Sequence, residues 1–96
     1  MTEAVAIAGD LTIYRAAELK PLLLALPAGD AAVELDLSQV DEIDSAGIQL
    51  LLLARREAQA RARGWRIHAT SPAVDEALAL LGLGDLVARP ATGAAA

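Results

Sequence analysis

Two segments of the chain alternate between hydrophobic and other residues, and this period of two predicts β-strands. In residues 32–37, acidic residues alternate with Val33, Leu35 and Leu37. Residues 65–69 show the same alternation. A strand with one polar face borders the core on its other face only. We therefore expect helices to pack mainly on one face of the sheet.

A similar alternation near the N-terminus is interrupted by a glycine. Val5 and Ile7 precede the pair Gly9-Asp10, and Leu11 and Ile13 follow it. This pattern predicts two short strands joined by a tight turn, which would form an opening hairpin.

Leucines recur from Leu19 to Leu26 at the spacing i, i+3, i+4, i+7, which is typical of a helix with one face toward the core. Pro21 lies inside this pattern. A proline in a helix interior costs about 3 kcal/mol unless it lies in the first turn. The first helix is therefore expected to begin late, near Glu18, or to be kinked.

The second predicted helix covers residues 46–63 and is expected to end at Gly64 in the C′ position. Because it lies between the two alternating segments, strand, helix and strand predict a right-handed parallel unit. Ser71-Pro72 is suited to begin a third helix, which Gly82 would end. Leu86-Val87 would add a short edge strand or pack against the end of the domain.

The turn before the second helix reads Asp44, Ser45, Ala46, Gly47 (the 44–47 turn). Asp44 and Ser45 are both good N-cap residues for the helix that follows. The start of a helix is positively polarised, so this surface is suited to binding an anion, carrying a regulated hydroxyl or docking a partner.

The chain has 96 residues, of which 55% are hydrophobic, and this suffices for the core of one domain. It contains no cysteine, and its first residues lack the pattern of a signal peptide, so we expect a cytoplasmic protein. Uninterrupted apolar runs such as residues 50–54 are far shorter than the roughly 20 residues of a membrane span, so we expect no membrane insertion. We assign residues 1–89 to the domain and residues 90–96 to a flexible C-terminal tail.

The formal net charge of −5 provides no long-range attraction to nucleic acids, so we expect no nucleic-acid partner. Several arginines nevertheless cluster in and after the second half of the second helix, where cations complement the helix dipole. We interpret this cluster as a solvated face; its members are Arg55, Arg56, Arg61, Arg63 and Arg66.

Residues that commonly carry catalysis or bind cofactors are sparse. His68, the single histidine, lies on the polar face of a predicted strand. The acidic residues closest to a metal-binding set lack the spacing of an EF-hand; they are Asp36, Asp41, Glu42 and Asp44. Neither a nucleotide-binding glycine motif nor the G-x-S-x-G nucleophile motif is present. We expect no enzyme activity, no cofactor and no metal site, which leaves docking as the function of the 44–47 turn.

Residues 35–45 read L-D-L-S-x-V-x-x-I-D-S and continue as A-G-I-Q-L-L-L-L, and this segment resembles the STAS domain of bacterial anti-sigma factor antagonists. The order of elements supports the resemblance over nearly the whole chain. It implies a single-domain α/β fold with a mixed sheet of four to five strands and helices mainly on one face. It also implies a non-catalytic module of signal transduction that acts by protein–protein interaction and partner switching.

Members of that family typically read D-S-[ST]-G at this turn, and a serine-kinase anti-sigma factor phosphorylates the residue before the glycine, which abolishes binding. The equivalent position here is Ala46, which has no hydroxyl to phosphorylate. Ser45 has a hydroxyl one residue earlier; we interpret it as a capping residue and keep it as a minor alternative phosphosite. The resemblance implies a partner-binding surface formed by Val40, Asp41, Asp44, Ser45, Ala46, Gly47, Ile48 and Leu51.

Two partner hypotheses follow from the resemblance. In the first, the domain acts in a sigma-factor or chemotaxis circuit and docks on an anti-sigma factor or another serine/histidine-kinase-like ATPase. In the second, it resembles the small STAS protein of a phospholipid-transport ABC complex and docks on the ABC transporter ATPase as a permanent accessory subunit. A third hypothesis, a domain that binds an anion or small molecule at the helix start, requires a concave pocket, of which the sequence gives no sign.

Overall fold

The computed structural model describes residues 2–29 and 31–87, and the side chains of residues 5–29 and 31–87. Within these ranges the strands are β1 (Thr2–Leu11), β2 (Ala32–Ile43) and β3 (Trp65–Thr70). The helices are α1 (Ile13–Ala25), α2 (Ser45–Ala60) and α3 (Pro72–Leu80). Single turns of 3₁₀ helix occupy Leu26–Ala28 and Gly84–Leu86. The predicted tail, residues 90–96, lies outside the described residues.

The described strands form one sheet in the order β1-β2-β3, and both neighbouring pairs are parallel. The prediction of a mixed sheet with four to five strands is therefore not confirmed. Val87 adds only an isolated parallel bridge to Ile67, beside a buried Leu86. The parallel connection from β2 through α2 to β3 is present as predicted.

The predicted opening hairpin is wrong, because β1 continues through Gly9-Asp10 as one strand. Gly9 has a φ of +85°, a conformation that many tight turns also require. Here it lies beside an irregularity in the β1–β2 pairing, which shifts register between Gly9 and Asp10. A bulge of this kind disturbs the ladder without reversing the chain. A glycine at this position in the sequence is therefore compatible with either a tight turn or a bulge.

Strand β2 continues past the predicted end at Leu37 as far as Ile43. Its alternation breaks once, because two residues, Ser38 and Gln39, lie between the buried Leu37 and Val40. The extension brings the 44–47 turn to the C-terminal edge of the sheet. There the backbone N–H of Asp44 donates to the carbonyl of Leu11 at the end of β1, with an N···O distance of 3.3 Å.

One buried hydrophobic cluster joins the strands to the helices. Its members include Ile7, Leu11, Leu19, Leu23, Val33, Leu35, Leu37, Val40, Ile48, Leu50, Leu51, Ala54, Ile67, Val74 and Leu78. The alternate strand positions carry polar side chains, with Arg66 and His68 exposed and Arg66 paired to Glu34. The helices therefore pack on one face of the sheet, as the alternation predicted.

Helix α1 begins at Ile13, so the first predicted alternative, a start near Glu18, is wrong, and the second, a kink, stays a prediction. Thr12 is the N-cap, and its hydroxyl oxygen accepts a hydrogen bond from the N–H of Tyr14 at 3.3 Å. Pro21 consequently lies inside the helix and leaves the carbonyl of Ala17 without its usual donor. Both residues are exposed, so water can solvate that carbonyl. The helix tolerates the proline because the loss falls on its solvent side.

Helix α2 ends at Ala60, earlier than predicted, and the C′ residue is Ala62 rather than Gly64. The N–H of Ala62 donates to the carbonyl of Gln59 at 3.0 Å, and the N–H of Arg63 donates to that of Ala58 at 2.8 Å. This is a Schellman motif, with Ala62 at a φ of +55°.

Helix α3 follows its prediction. Ser71 caps it by accepting a hydrogen bond from the N–H of Val74, and Pro72 is its first residue. The chain leaves the helix through Gly82 at a φ of +70°, where the N–H of Leu83 donates to the carbonyl of Leu78 at 2.8 Å. The two helices thus end in the same motif, one with alanine and one with glycine in the left-handed position.

Candidate docking surface at the 44–47 turn

The carboxylate of Asp44 binds the first turns of two helices at once. Its Oδ1 accepts a hydrogen bond from the N–H of Gly47 in α2, and its Oδ2 accepts one from the N–H of Ile13 in α1, both at 3.0 Å. These bonds, that of Ile13 foremost, hold the pKa of Asp44 below its ordinary value. The start of α1 and the start of α2 therefore lie side by side. The carboxylate of Asp44 thus supplies the negative charge that is favourable at the start of each helix.

Gly47 lies where α2 passes closest to the end of β1. A Cβ atom on this residue would overlap the carbonyl oxygen of Leu11 and lie 2.9 Å from its carbonyl carbon. That carbonyl also accepts the hydrogen bond from Asp44, so it cannot move away without breaking the turn. Only glycine allows this approach of the two backbones.

The other two residues of the turn face outward. Ser45 is exposed and is the first residue of α2, so the cap is Asp44 and the interpretation of Ser45 as a capping residue is wrong. Its hydroxyl makes no hydrogen bond to the described residues. Ala46 is half-buried and lies on the wall of a groove. Within the turn, Asp44 and Gly47 thus stabilise the fold, whereas Ser45 and Ala46 form part of the surface.

The members of the predicted partner-binding set differ in burial. Four of them are buried in the core; they are Val40, Gly47, Ile48 and Leu51. Asp41 and Ser45 are exposed, and Asp44 and Ala46 are partly exposed. A contact role for the set stays a prediction.

A groove between α1 and α2 extends this surface, and the sequence pattern did not predict it. It has a volume of about 350 Å³ and is mostly apolar; its lining residues are Ala16, Ala17, Lys20, Ala46, Gln49, Leu50 and Leu53. A second cavity of about 270 Å³ adjoins it, sharing Gln49 and Leu53 and adding Leu52 and Arg56. Only the packing of α1 against α2 brings these residues together, so no local pattern in the sequence marks them.

The described residues offer little else at this surface for metal or acid–base chemistry. No group of three or more histidine, aspartate or glutamate side chains among them is placed to hold a metal ion. Asp36 instead accepts hydrogen bonds from the hydroxyl and the backbone N–H of Ser38, which lower its pKa. His68 lies 3.9 Å from Glu34 on the exposed face of the sheet. Among the described residues, no helix has both the length and the apolar character needed to cross a membrane.

The chain matches known proteins in sequence pattern and in fold. The family model described as "Mlab, STAS domain" matches residues 2–88. Among solved structures, the chain is similar to the anti-sigma factor antagonist SpoIIAA in its unphosphorylated form, with a TM-score of 0.75, 22% identity, and coverage of 92% of this chain and 80% of that one. It is also similar to the Bacillus cell fate determinant SpoIIAA in the phosphorylated form, with a TM-score of 0.67, 22% identity, and coverage of 92% and 83%. No curated protein matches it.

Proposed function

This chain is a member of the STAS domain family, and on that premise we propose that it is a non-catalytic protein-binding module of signal transduction, similar in role to an anti-sigma factor antagonist. In this proposal it acts in the cytoplasm and docks on an anti-sigma factor or another serine/histidine-kinase-like ATPase. The contact surface is the exposed part of the 44–47 turn together with the groove between α1 and α2. The groove beside Ala46 is the observation that supports the proposal most directly.

Exposed hydrophobic side chains continue this surface along the start of α1. Ile13 is 62% exposed and Tyr14 is 91% exposed, and the hydrogen bond from Ile13 to Asp44 ties them to the turn. Large apolar residues that are exposed next to an apolar groove are typical of an interaction site. Ile13, Tyr14 and the groove together provide apolar surface that a bound partner would bury.

The borders of the groove are positively charged although the whole chain carries a net charge of −5. Lys20 lies on the α1 side, and Arg56 lies on the α2 side next to Leu53. Neither makes an ion pair with the described residues. A partner segment that places an apolar side chain in the groove and acidic side chains at its borders would be complementary to this surface.

Docking at this surface would not be switched in the usual way. A phosphate at the position of Ala46 would add a charge of about −1.5 to −2 at the wall of the groove, and it would repel an acidic or apolar partner. Alanine can accept no phosphate, so no negative charge can be added to the groove wall at that position. We propose that the module is constitutively able to bind. Ser45, exposed and one residue earlier, is the minor alternative site for a phosphate.

A second candidate function is the accessory subunit of a phospholipid-transport ABC complex, docked on the transporter ATPase. The description of the matching family model favours it, because that description names Mlab and not an anti-sigma factor antagonist. A permanent subunit also has no need of a phosphorylation switch, which agrees with the alanine at position 46. The same surface would serve both functions.

Identification of the partner separates the two candidates. The affinity-tagged protein would be purified from its native host, and co-purified proteins identified by mass spectrometry, with a doubly substituted Ala46→Asp, Leu53→Asp variant as the background control. A kinase-like ATPase that co-purifies with the parent protein but not with the control supports the first function. A transporter ATPase that co-purifies with the parent protein but not with the control would exclude the first function and support the second.

The docking surface itself is tested by one charge placed in the groove wall. Ala46→Asp should weaken binding of the recovered partner at least about tenfold, because a carboxylate in the apolar contact is desolvated and repels the acidic side chains proposed for the partner. Ala73→Asp is the matched control, since Ala73 is the second residue of α3 and is also half-buried behind a side-chain cap. Equal affinities of the two variants, measured by isothermal titration calorimetry, would place the contact surface elsewhere.

A further inference from the structure

The indole N–H of Trp65 is the one buried side-chain polar group of the described residues that has no hydrogen-bond partner. Buried polar groups in proteins are almost always bonded, so an exception requires an explanation. Trp65 is the first residue of β3 and lines two cavities, a smaller one of about 180 Å³ between β2 and β3 and a larger one of about 310 Å³, which is named the Trp65 cavity. The cavity lies at the far end of α2 from the 44–47 turn. Over the residues from Ala46 to Gln59, the helix rise separates the two regions by roughly 20 Å.

Hydrogen-bond donors dominate the wall of this cavity. Arg55, Gln59 and Arg63 line it together with Trp65, and Leu86 forms an apolar side. Arg55 is half-buried and makes no ion pair or hydrogen bond with the described residues. Its guanidinium group is therefore available, and such a group binds carboxylate or phosphate oxygens through paired N–H donors.

The neighbouring Arg63 is held in a defined position. Its Nε donates to the carbonyl of Gly29 at 2.5 Å, and its Nη1 donates to the carbonyl of Arg61 at 3.2 Å. Asp85 is the single acidic residue of the lining. Of the two arginines in the lining, Arg63 is thus already engaged, and Arg55 is the one whose guanidinium group is open to a ligand.

The arginine cluster seen in the sequence is thus not one uniform solvated face. Arg61 pairs with Glu57 at 2.8 Å, and Arg66 pairs with Glu34 across the sheet. Arg56 borders the docking groove, and Arg55 alone of these four turns to the Trp65 cavity. The two adjacent arginines, 55 and 56, therefore face different cavities and form a matched pair for experiment.

We propose that the Trp65 cavity is a binding site for a small organic anion, held through a phosphate or carboxylate group. Arg55 contributes the charged, paired donors, and the indole N–H of Trp65 and the amide of Gln59 add neutral ones. The volume lies at the lower end of the range for ligand sites, which fits an oxyanion with a short organic body. The indole nitrogen is closed to solvent in the unliganded protein, so the flexible side chains around it have to shift before a ligand in the cavity can accept its N–H.

The chain contains a single tryptophan, so its own fluorescence reports on this site. The full-length protein would be titrated with inorganic phosphate and, separately, with succinate, at constant ionic strength. We expect a saturable change in emission with at least one of the two probes, and which probe binds more tightly distinguishes a phosphate site from a carboxylate site. A linear change with both probes, without saturation, would overturn the proposal.

Three variants separate a specific site from general charge effects. Arg55→Gln should raise the dissociation constant at least about tenfold, since it removes the charged donors. Arg56→Gln removes the same charge one residue away and should change it less than about twofold. Asp85→Asn should tighten binding by a few-fold, because it removes the one repulsive charge of the lining. Equal losses in the two arginine variants would show non-specific attraction, and weaker binding by Asp85→Asn would contradict an anionic ligand.

The unpartnered N–H provides an independent test. Trp65→Phe removes the donor and keeps an aromatic ring, so the variant should bind the better probe more weakly in calorimetry. In the absence of ligand, the same variant should unfold at a temperature equal to or higher than that of the parent, because it no longer buries an unpaired group. Unchanged affinity for the probe in Trp65→Phe would contradict the role assigned to the indole. Circular dichroism would establish that each variant is folded.

Discussion

Asp44 and Gly47 are residues whose chemical type the fold itself requires. A residue at position 44 must accept two N–H groups from different helices, and a residue at position 47 must have no Cβ. Ser45 and Ala46 have no such requirement and face outward. At the residue scale, the D-S-A-G motif therefore combines a structural pair with a surface pair. The sequence shows the motif, but only the contacts distinguish its structural pair from its surface pair.

Gly47→Ala should lower the free energy of unfolding by about 3 kcal/mol, because the added methyl group overlaps the backbone of β1. Urea unfolding followed by circular dichroism measures this change. Gly29→Ala is the matched control, since nothing lies within 4 Å of the Cβ position of Gly29 and its φ is negative. The control should stay within about 0.5 kcal/mol of the parent. A similarly small effect at position 47 would contradict the close approach of α2 to the end of β1.

Asp44 should make the protein less stable in acid. Its pKa is lower in the folded state than in the unfolded chain, so its contribution is complete above the unfolded pKa, near 4, and is lost as the pH falls through the folded value. Asp44→Asn should reduce the dependence of the urea midpoint on pH below about pH 4. Asp36, whose pKa is also lowered, adds to the same slope, so Asp36→Asn should reduce it as well. The exposed Asp41, which makes no hydrogen bond to the described residues, supplies the control Asp41→Asn. A slope equal to that of the parent in Asp44→Asn would show that its two hydrogen bonds do not persist in solution.

Ala46→Ser should create a phosphoacceptor where the family usually has one. Intact-mass measurement after incubation with ATP and the recovered kinase-like partner would detect it. We expect one added phosphate on Ala46→Ser and none on the parent protein. A stoichiometric phosphate on the parent that disappears in Ser45→Ala would identify Ser45 as the regulated residue instead.

The ends of α2 and α3 show how a single element is terminated. Both close with a Schellman motif, but the residue in the left-handed conformation is Ala62 in one and Gly82 in the other. A search for glycine correctly predicts the end of α3 and misplaces that of α2 at Gly64. The hydrogen bonds to the last carbonyls determine where the helix stops, and alanine adopts the required φ at a cost.

Ala62→Gly should therefore stabilise the protein by about 0.5–1 kcal/mol, since relief of the left-handed strain exceeds the extra entropy of glycine in the unfolded chain. Gly82→Ala should destabilise it by about 1 kcal/mol for the converse reason, although space for a Cβ is free there. Thermal and urea unfolding of the two variants, side by side, would measure both effects. Changes of the same sign would contradict the equivalence of the two helix ends.

The strands and helices differ in how far their sequences predict them. The alternation around Val33 and Ile67 predicts β2 and β3 because one face of each strand is buried and the other is not. The prediction of a hairpin at Gly9 is wrong because a bulge and a tight turn can both require a residue with a positive φ. The prediction that α1 starts late is wrong because the energetic cost of Pro21 depends on whether its part of the helix is exposed, and the local sequence does not show this.

At the scale of the whole molecule, the docking groove depends on the packing of α1 against α2. Residues 50–53 are four consecutive leucines, so the sequence does not show which of them face the core. In the structure Leu50 and Leu51 are buried, while Leu53 is 37% exposed and lines the groove opposite Lys20. The partner-binding set inferred from the motif therefore includes core residues and no residue of α1.

Leu53→Asp should weaken partner binding at least about tenfold, because it places a charge at the centre of the proposed contact. Leu80→Asp is the control, as Leu80 is 79% exposed on α3 and lies outside the groove. Both variants should keep the parent's circular dichroism spectrum. Calorimetry with the recovered partner measures the two affinities. Loss of binding in Leu80→Asp alone would move the docking surface to α3.

The shared carboxylate of Asp44 also has a kinetic consequence. One group protects the amide protons of Ile13 and Gly47, which lie 34 residues apart in sequence. When the hydrogen bonds of that carboxylate break, both amides become accessible to solvent in the same event, so we expect the two helix starts to form one unit of local unfolding. Native-state hydrogen exchange should therefore report a common opening free energy for the two amides, and Asp44→Asn should accelerate exchange at Ile13 together with that at Gly47.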